Sequence, residues 1–330
     1  MGRERVAVPA PTRPRLASAS PTLGPRVARI VSLLPSTTEI VHALGLGAQL
    51  VGRSHECDHP PEVAALPVVT EPKFPVSGDS ATIDRQVRTL LEQALSVYEV
   101  HVDVLREIAP DVVLTQTQCE VCAVSAREVH AAVRDHLGDG VEVVELEPNA
   151  LRDVLGDVRR VAHALRVPER GDRLVDDVLG RLDAVRAAVA GRPRRRVLTI
   201  EWIDPPMAAG NWMPELLDAA GADELFGVAG HHSPWLDVEA VGAADPDAVL
   251  VLPCGFDLDR TRAEAPALRD LPGWDELRAV RDGEVFLLDG HRFFNRPGPR
   301  LAESAEILAE VLHPGSVRSD HEGDAWQRWA

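Results

Sequence analysis

Short apolar runs alternate with amphipathic stretches along this chain, and the first of them sets the pattern. Arg29-Ile30-Val31-Ser32-Leu33-Leu34 is an apolar run stopped by Pro35, after which Ile40, Val41 and Leu44 recur at helical spacing. The order predicts strand, loop, helix. Ser36 followed by Glu39 has the spacing of a capping box, and Gly45 or Gly47 would end the helix. Leu50-Val51-Gly52, Ala109 to Thr115 and Val141 to Val144 read as further strands, and Arg127 to Leu137 as a helix. From Leu151 to Ala190 the pattern turns wholly helical. Val154, Val158, Val161 and Leu165 form one stripe, Leu174, Val178, Leu182 and Val185 a second, and Pro168 divides them. Strands resume at Val197-Leu198-Thr199-Ile200, and Asp245 to Leu252 repeats the character of Ala109 to Thr115, a Pro-Asp turn opening an apolar strand.

Strands alternating with helices predict parallel sheets, and the echo predicts two similar lobes. The division expected is a disordered arm (1–28), an N-terminal α/β lobe (29–150), linking helices (151–195) with Asp172 to Ala190 as the spine, a C-terminal α/β lobe (196–314) and a mobile tail (315–330). Composition narrows this picture. A length of 330 residues with 45% hydrophobic content supports more than one core. The charge of −17 disfavours nucleic acid and anionic lipid as partners. No run approaches the ~20 apolar residues of a membrane span. Met1 to Pro25 lacks the apolar run of a secretory signal, so the expectation is a cytoplasmic monomer, or an exported protein if the true start lies elsewhere. G-x-G-x-x-G, P-loop and nucleophile-elbow patterns are missing, which points away from a standard nucleotide enzyme.

Candidate chemistry collects where loops leave the carboxyl ends of the strands, the place where parallel α/β sheets hold ligands. The first such loop brings Pro35, Ser36 and Thr37, whose hydroxyls either meet a ligand or only cap the helix. The next, Ser54 to His59, brings His55 and Cys57; the one after Thr115 brings Gln118, Cys119 and Cys122; the one after Leu252 brings Cys254, Gly255 and Phe256. All four thiols therefore fall on one edge. Cys119 and Cys122 have the spacing of a zinc or iron-sulfur grip, which Cys57, Cys254 or His55 would complete; the alternative is that they line a cleft or stay buried. His55, His59, His231 and His232 are imidazoles that a ligand's metal would accept. Glu201, Trp202, Asn211, Trp212, Trp235, Phe256, Phe294, Asn295 and Arg296 supply an aromatic and polar wall suited to a large flat ligand. Arg296 and Arg300 bind a carboxylate or phosphate, or cap a helix starting near Pro299.

The run Arg29 to Gly47, followed by Leu50 to Asp58, resembles the opening of the vitamin B12 and iron-siderophore substrate-binding proteins of ABC importers. The resemblance runs from about Arg29 to Pro314. The loops Gln118 to Ser125, Glu201 to Pro206, Pro253 to Phe256 and Phe294 to Arg300 are similar to a cysteine-bearing, cobalamin-binding branch of that superfamily. It implies two Rossmann-like lobes joined by a single long helix, a helical-backbone fold that holds cobalamin or another corrinoid between the lobes without catalysis. It also implies a docking charge for an ABC permease, for which Glu39 in the matching first helix is the candidate. The competing expectation is a cytoplasmic zinc or iron-sulfur enzyme or sensor on the same fold.

Overall fold

The computed structural model describes residues 28–93, 97–117, 125–138, 140–318 and 320–329. Gln118, Cys119 and Cys122, and nearly all of the expected arm, lie outside the described residues. In chain order the first half runs β1 (Ile30–Ser32), α1 (Pro35–Ala43), β2 (Leu50–Arg53), β3 (Thr70–Pro72), α2 (Ser80–Glu92), β4 (Tyr98–Val100), α3 (Val102–Ile108), β5 (Val112–Gln116), α4 (Ala126–His136) and β6 (Glu142–Leu146). Strands β2-β1-β5-β6 pair in parallel as one sheet, and β3 and β4 form a separate antiparallel pair. Two helices follow, α5 (Leu151–Ala164) and α6 (Pro168–Val189). The second half runs β7 (Arg195–Ile200), α7 (Met213–Ala219), β8 (Ala222–Glu224), α8 (Val238–Ala244), β9 (Ala248–Val251), α9 (Leu258–Glu264), α10 (Arg278–Arg281), β10 (Val285–Leu288), α11 (Leu301–Leu312) and β11 (Trp326–Arg328). Its sheet has the order β11-β10-β9-β7-β8, parallel except at β11.

The central strands are apolar on both faces because helices cover both faces of a parallel sheet. All four residues of β9 and of β10 are buried, as is the whole of β5. Helix α6 joins the two sheets and spans about 33 Å by its 22 residues at 1.5 Å each. Pro168 sits in its first turn, where a missing N–H costs nothing. Val175, Val178, Leu182, Val185 and Val189 recur at steps of three and four and are buried, with α5 packed on one side and α11 on the other. The spine thus takes a helix from each half. Leu182 is 0% exposed, and its truncation to Ala would cost about 2–5 kcal/mol by loss of transfer energy and the cavity left behind.

Two expectations change here. Helix α1 begins at Pro35, with Leu34 at the cap, so Ser36 is an interior residue and the Ser36–Glu39 capping box does not form. A proline with its φ already helical starts the helix two residues earlier than a cap at Ser36 would. The tail is also more ordered than its polar composition suggests. Ala325 and Trp326 are buried, and β11 pairs with β10 through Leu288↔Trp326 and Phe286↔Arg328.

Candidate functional site: the cleft between the lobes

Once Glu39 is free of a capping role, it leaves α1 toward the other lobe. Its Oε1 accepts from Arg300 Nη2 at 2.8 Å and from Arg296 Nη1 at 3.2 Å, and its Oε2 accepts from Arg300 Nε at 2.9 Å. Asp58, in the loop after β2, accepts from Arg296 Nη1 at 2.6 Å, and its other oxygen lies 2.8 Å from His291 Nε2. The loop between β10 and α11 therefore presents His291, Arg296 and Arg300 to carboxylates of the first lobe. Glu39 and Arg296 are 3% and 4% exposed. Burial works to raise the Asp58 carboxyl, but His291 and Arg296 outweigh it and hold the group well below the usual carboxylate range. Burial likewise opposes the charge of Arg296, and Asp58 and Glu39 more than restore it. Glu56, beside the same cluster, is pushed up by burial against the pull of His291 and Arg296. Such a cluster is costly to desolvate and costlier to break, so it fixes how the two lobes meet. It also corrects the expected role of Glu39 as a permease-docking charge, because a buried carboxylate held by two guanidinium groups is not offered to a partner in this conformation.

The aromatic positions divide into supports and wall. Trp212 is 7% exposed and donates from Nε1 to the Phe294 carbonyl at 3.1 Å, while Phe294 is 0% exposed and faces the core rather than a cleft. Asn295 Nδ2 donates to the carbonyls of Leu252 and Gly290 at 3.2 and 3.1 Å, tying the loops after β9 and β10 together. Phe256 is 1% exposed and is covered by the Arg260 guanidinium, 3.8 Å from its ring centroid. Gly255 takes φ 76° in the turn before α9, a left-handed value that glycine adopts without strain. What remains as wall is Trp202, Met207 and Trp235. Backbone bridges pair Trp202 with Met207 and Met207 with Trp235, both antiparallel, and directly opposed residues project to the same side. The Trp202 and Phe256 rings lie 5.4 Å apart between centroids and are tilted by 57°, and the buried Trp202 Nε1–H has no partner among the described residues. Trp235 is 54% exposed. Glu201 Oε2 accepts from Ser233 Oγ at 3.0 Å, and Asn211, at φ 54°, donates its backbone N–H to the His231 carbonyl at 2.7 Å, so both act as braces for this wall.

The hydroxyls after β1 turn inward. Thr37 and Thr38 donate to the Leu34 carbonyl, and Thr38 also donates to Ser32 Oγ at 2.7 Å; Ser36 and Thr37 are buried and Pro35 is half-buried. Cys57 is sealed in the same knot. Its sulfur lies 3.0 Å from Thr38 Oγ1 and 3.2 Å from Ser54 Oγ, it is 1% exposed, and burial pushes the thiol up. In this conformation Cys57 is enclosed by Thr38 and Ser54 and is not open to a ligand in the cleft. His55 is spent on Thr70 Oγ1 at 2.9 Å and on the Tyr98 ring at 5.2 Å. Cys254 is half-buried, with its backbone N–H donating to the Glu201 carbonyl at 2.9 Å. Among the described residues no three His, Cys, Asp or Glu side chains group to hold a metal ion. Sequence reasoning passed over Asp58 and His291, and the signal that would have found them was the acidic pair Glu56 and Asp58 inside a run read only for its thiol and imidazoles. It also passed over Met207, which sits between two tryptophans only in three dimensions.

Two α/β lobes on one helical spine, meeting across a cleft with an ionic base and an apolar wall, define a bilobal binding protein. The chain belongs to the periplasmic binding protein family, whose profile matches residues 30–291, and its role at that level is substrate binding. It is 26% identical to the uncharacterized ABC transporter substrate-binding lipoprotein YvrC of Bacillus subtilis, over 88% of this chain and 81% of that one. It is 23% identical to a vitamin B12-binding protein of Vibrio cholerae, over 86% and 88% of the two chains. Among solved structures, a periplasmic heme-binding protein from Pseudomonas aeruginosa superposes with a TM-score of 0.67 at 25% identity, covering 92% of this chain and 99% of that one.

Proposed function

We propose that the chain binds cobalamin or a related corrinoid between its lobes, without catalysis, and presents it to an ABC permease. The observation that carries this reading is the Trp202–Met207–Trp235 row, aromatic and thioether side chains opposed across backbone bridges, suited to the apolar face of a macrocycle. The likeness to vitamin B12-binding proteins supports it. The experiment is isothermal titration with cyanocobalamin and cobinamide. Binding at Kd of about 10 μM or tighter is expected, with Trp202→Ala and Trp235→Ala each weakening it about tenfold. No heat with either corrinoid would overturn the reading.

One observation favours haem as a second reading. His59 is exposed at the end of the β2 loop, its pKa is lowered by desolvation and by Arg300, and a neutral imidazole is a ligand for iron. The similar structure is a heme-binding protein. A hemin absorbance band that shifts in His59→Ala, together with no corrinoid heat, would select haem over corrinoid.

A further inference from the structure

The pair β3–β4 lies outside the main sheet of the first lobe, and the described part of the chain between its strands touches both lobes. Of the thirteen residues of α2 only Ser80 is buried, and its own lobe holds this segment through Phe74 and Val87 at the edge of the core and through the Lys73–Glu128 ion pair at 3.4 Å. The second lobe grips its start from both sides. The Ser80 backbone N–H donates to Glu264 Oε2 at 2.8 Å, and Arg260 Nη2 donates to the carbonyls of Gly78 and Val76 at 2.8 and 3.3 Å. Arg260 is itself held over Phe256 and lies 3.7 Å from Glu264 Oε1, so the two gripping side chains of α9 steady one another. Further along α2, the Arg88 guanidinium lies 5.2 Å from the ring centroid of Trp235. This bridge runs through α9 and the Trp235 loop. It shares no residue with the Glu39–Arg296 cluster.

We propose that residues 73–92 form a strap that latches the closed cleft by docking on α9, and that ligand exchange requires its release. The β3–β4 pair, with Thr70 opposite Val100 and Pro72 opposite Tyr98, is the stalk about which the strap swings. Backbone groups that must be paired when shielded supply the driving force: undocking returns the Ser80 N–H and the Gly78 carbonyl to water, a small change that favours a two-position element of low local stability. Because Arg88 covers Trp235, the docked strap also covers one end of the apolar wall. The ligand-exchange half of this inference rests on the binding reading above; the latch half does not.

The cleanest variant is Ser80→Pro. Ser80 is the first residue of α2, after an Asp79 cap at ψ 163°, so proline suits both positions while deleting the one N–H that Glu264 accepts. Glu264→Ala removes the acceptor from the other lobe. Hydrogen exchange of the full chain is expected to quicken about tenfold at residues 81–90 in both variants, with β9 and β10 unchanged. Equal exchange at 81–90 in the wild type and both variants overturns the latch. With cyanocobalamin as probe, Ser80→Pro is expected to raise the association rate about fivefold, the limit set by how often the docked strap opens. Faster exchange at 81–90 with an unchanged association rate overturns the gating half. A wild type that binds no cyanocobalamin overturns the corrinoid reading, while the exchange result still decides the latch.

Discussion

In the first lobe α3 ends on Ala109 at φ 46°, Pro110 follows, and the Asp111 carboxylate accepts the Arg29 backbone N–H at 2.9 Å, where the chain enters β1. In the second lobe α8 ends on Asp245 at φ 45°, Pro246 follows, and the Asp247 carboxylate accepts the Arg196 backbone N–H at 2.8 Å, within β7. The same unit thus turns a helix into a strand and clamps the strand beside it in both lobes. At the facing edges the likeness ends. The first lobe presents Glu39, Glu56 and Asp58, and the second presents His291, Arg296 and Arg300. A shared scaffold with opposite charges at its rims lets two similar bodies recognise each other in one orientation. Like charges at those rims would hold them apart.

The largest expected effect breaks that complementarity. Arg296→Ala takes one of two guanidinium partners from the buried Glu39 and one partner from the half-exposed Asp58, and about 3–5 kcal/mol of stability should be lost in urea unfolding. Glu39→Gln, which keeps an acceptor oxygen for Arg300, should cost less. If Arg296→Ala costs under ~1 kcal/mol, the cluster does not hold the lobes.

Next in size is a pH effect that the two lobes share. Burial raises the Asp157 carboxyl to about 7, and it does the same to Glu224. Each has a folded pKa above its unfolded one, so the folded protein binds the proton more tightly between about pH 4 and 7 and stability falls as pH rises through that window. Asp157 is 3% exposed and accepts the Glu147 N–H at 3.0 Å. Asp157→Asn retains that acceptor and cannot ionise, so it should remove at most about 3 kcal/mol of the stability lost between pH 5 and 8, read from urea midpoints at the two pH values. Asp58 has a lowered pKa and gives the opposite slope, but only at lower pH, as its protonation breaks the bonds to Arg296 and His291. A full pH slope in Asp157→Asn would mean that Asp157 stays ionised when folded.

Both halves of the Pro-Asp echo were legible in the sequence, as were β1, β2, β5 to β7 and β9, and the two helices parted by Pro168, because each depends on periodicity and turn chemistry within a few residues. The site was legible only in its neighbourhood. Trp202, Trp235 and Arg296 stand out as residue types, but Arg296 meets Glu39 across 257 positions, and no local rule pairs them. Glu39 was misread because a serine three residues before a glutamate suggests a cap, while Pro35 had already begun the helix. The wall lost Trp212, Phe294 and Phe256 to the core because an aromatic in a loop has the same sequence signature whether it faces a ligand or pins the loop down. The tail misled through its charge, although Ala325-Trp326 in so polar a stretch was the mark of an edge strand.

The smallest effect sharpens the echo itself. Asp111 and Asp247 both clamp a backbone N–H; Asp247 pairs with Arg278, and Arg278 in turn donates its own backbone N–H to Asp245 at 2.9 Å. Burial works to raise the Asp247 carboxyl, and the Arg196 N–H with Arg278 outweighs it and holds the group low. Replacing either aspartate by asparagine keeps an oxygen for the strand N–H and removes only the charge. Asp247→Asn should therefore cost about 1 kcal/mol, reduced toward zero in an Arg278→Met background. Both values come from urea midpoints. An equal cost with and without Arg278 would show that the clamp at Asp247 matters only as a hydrogen bond, and that Arg278 contributes nothing to holding the turn.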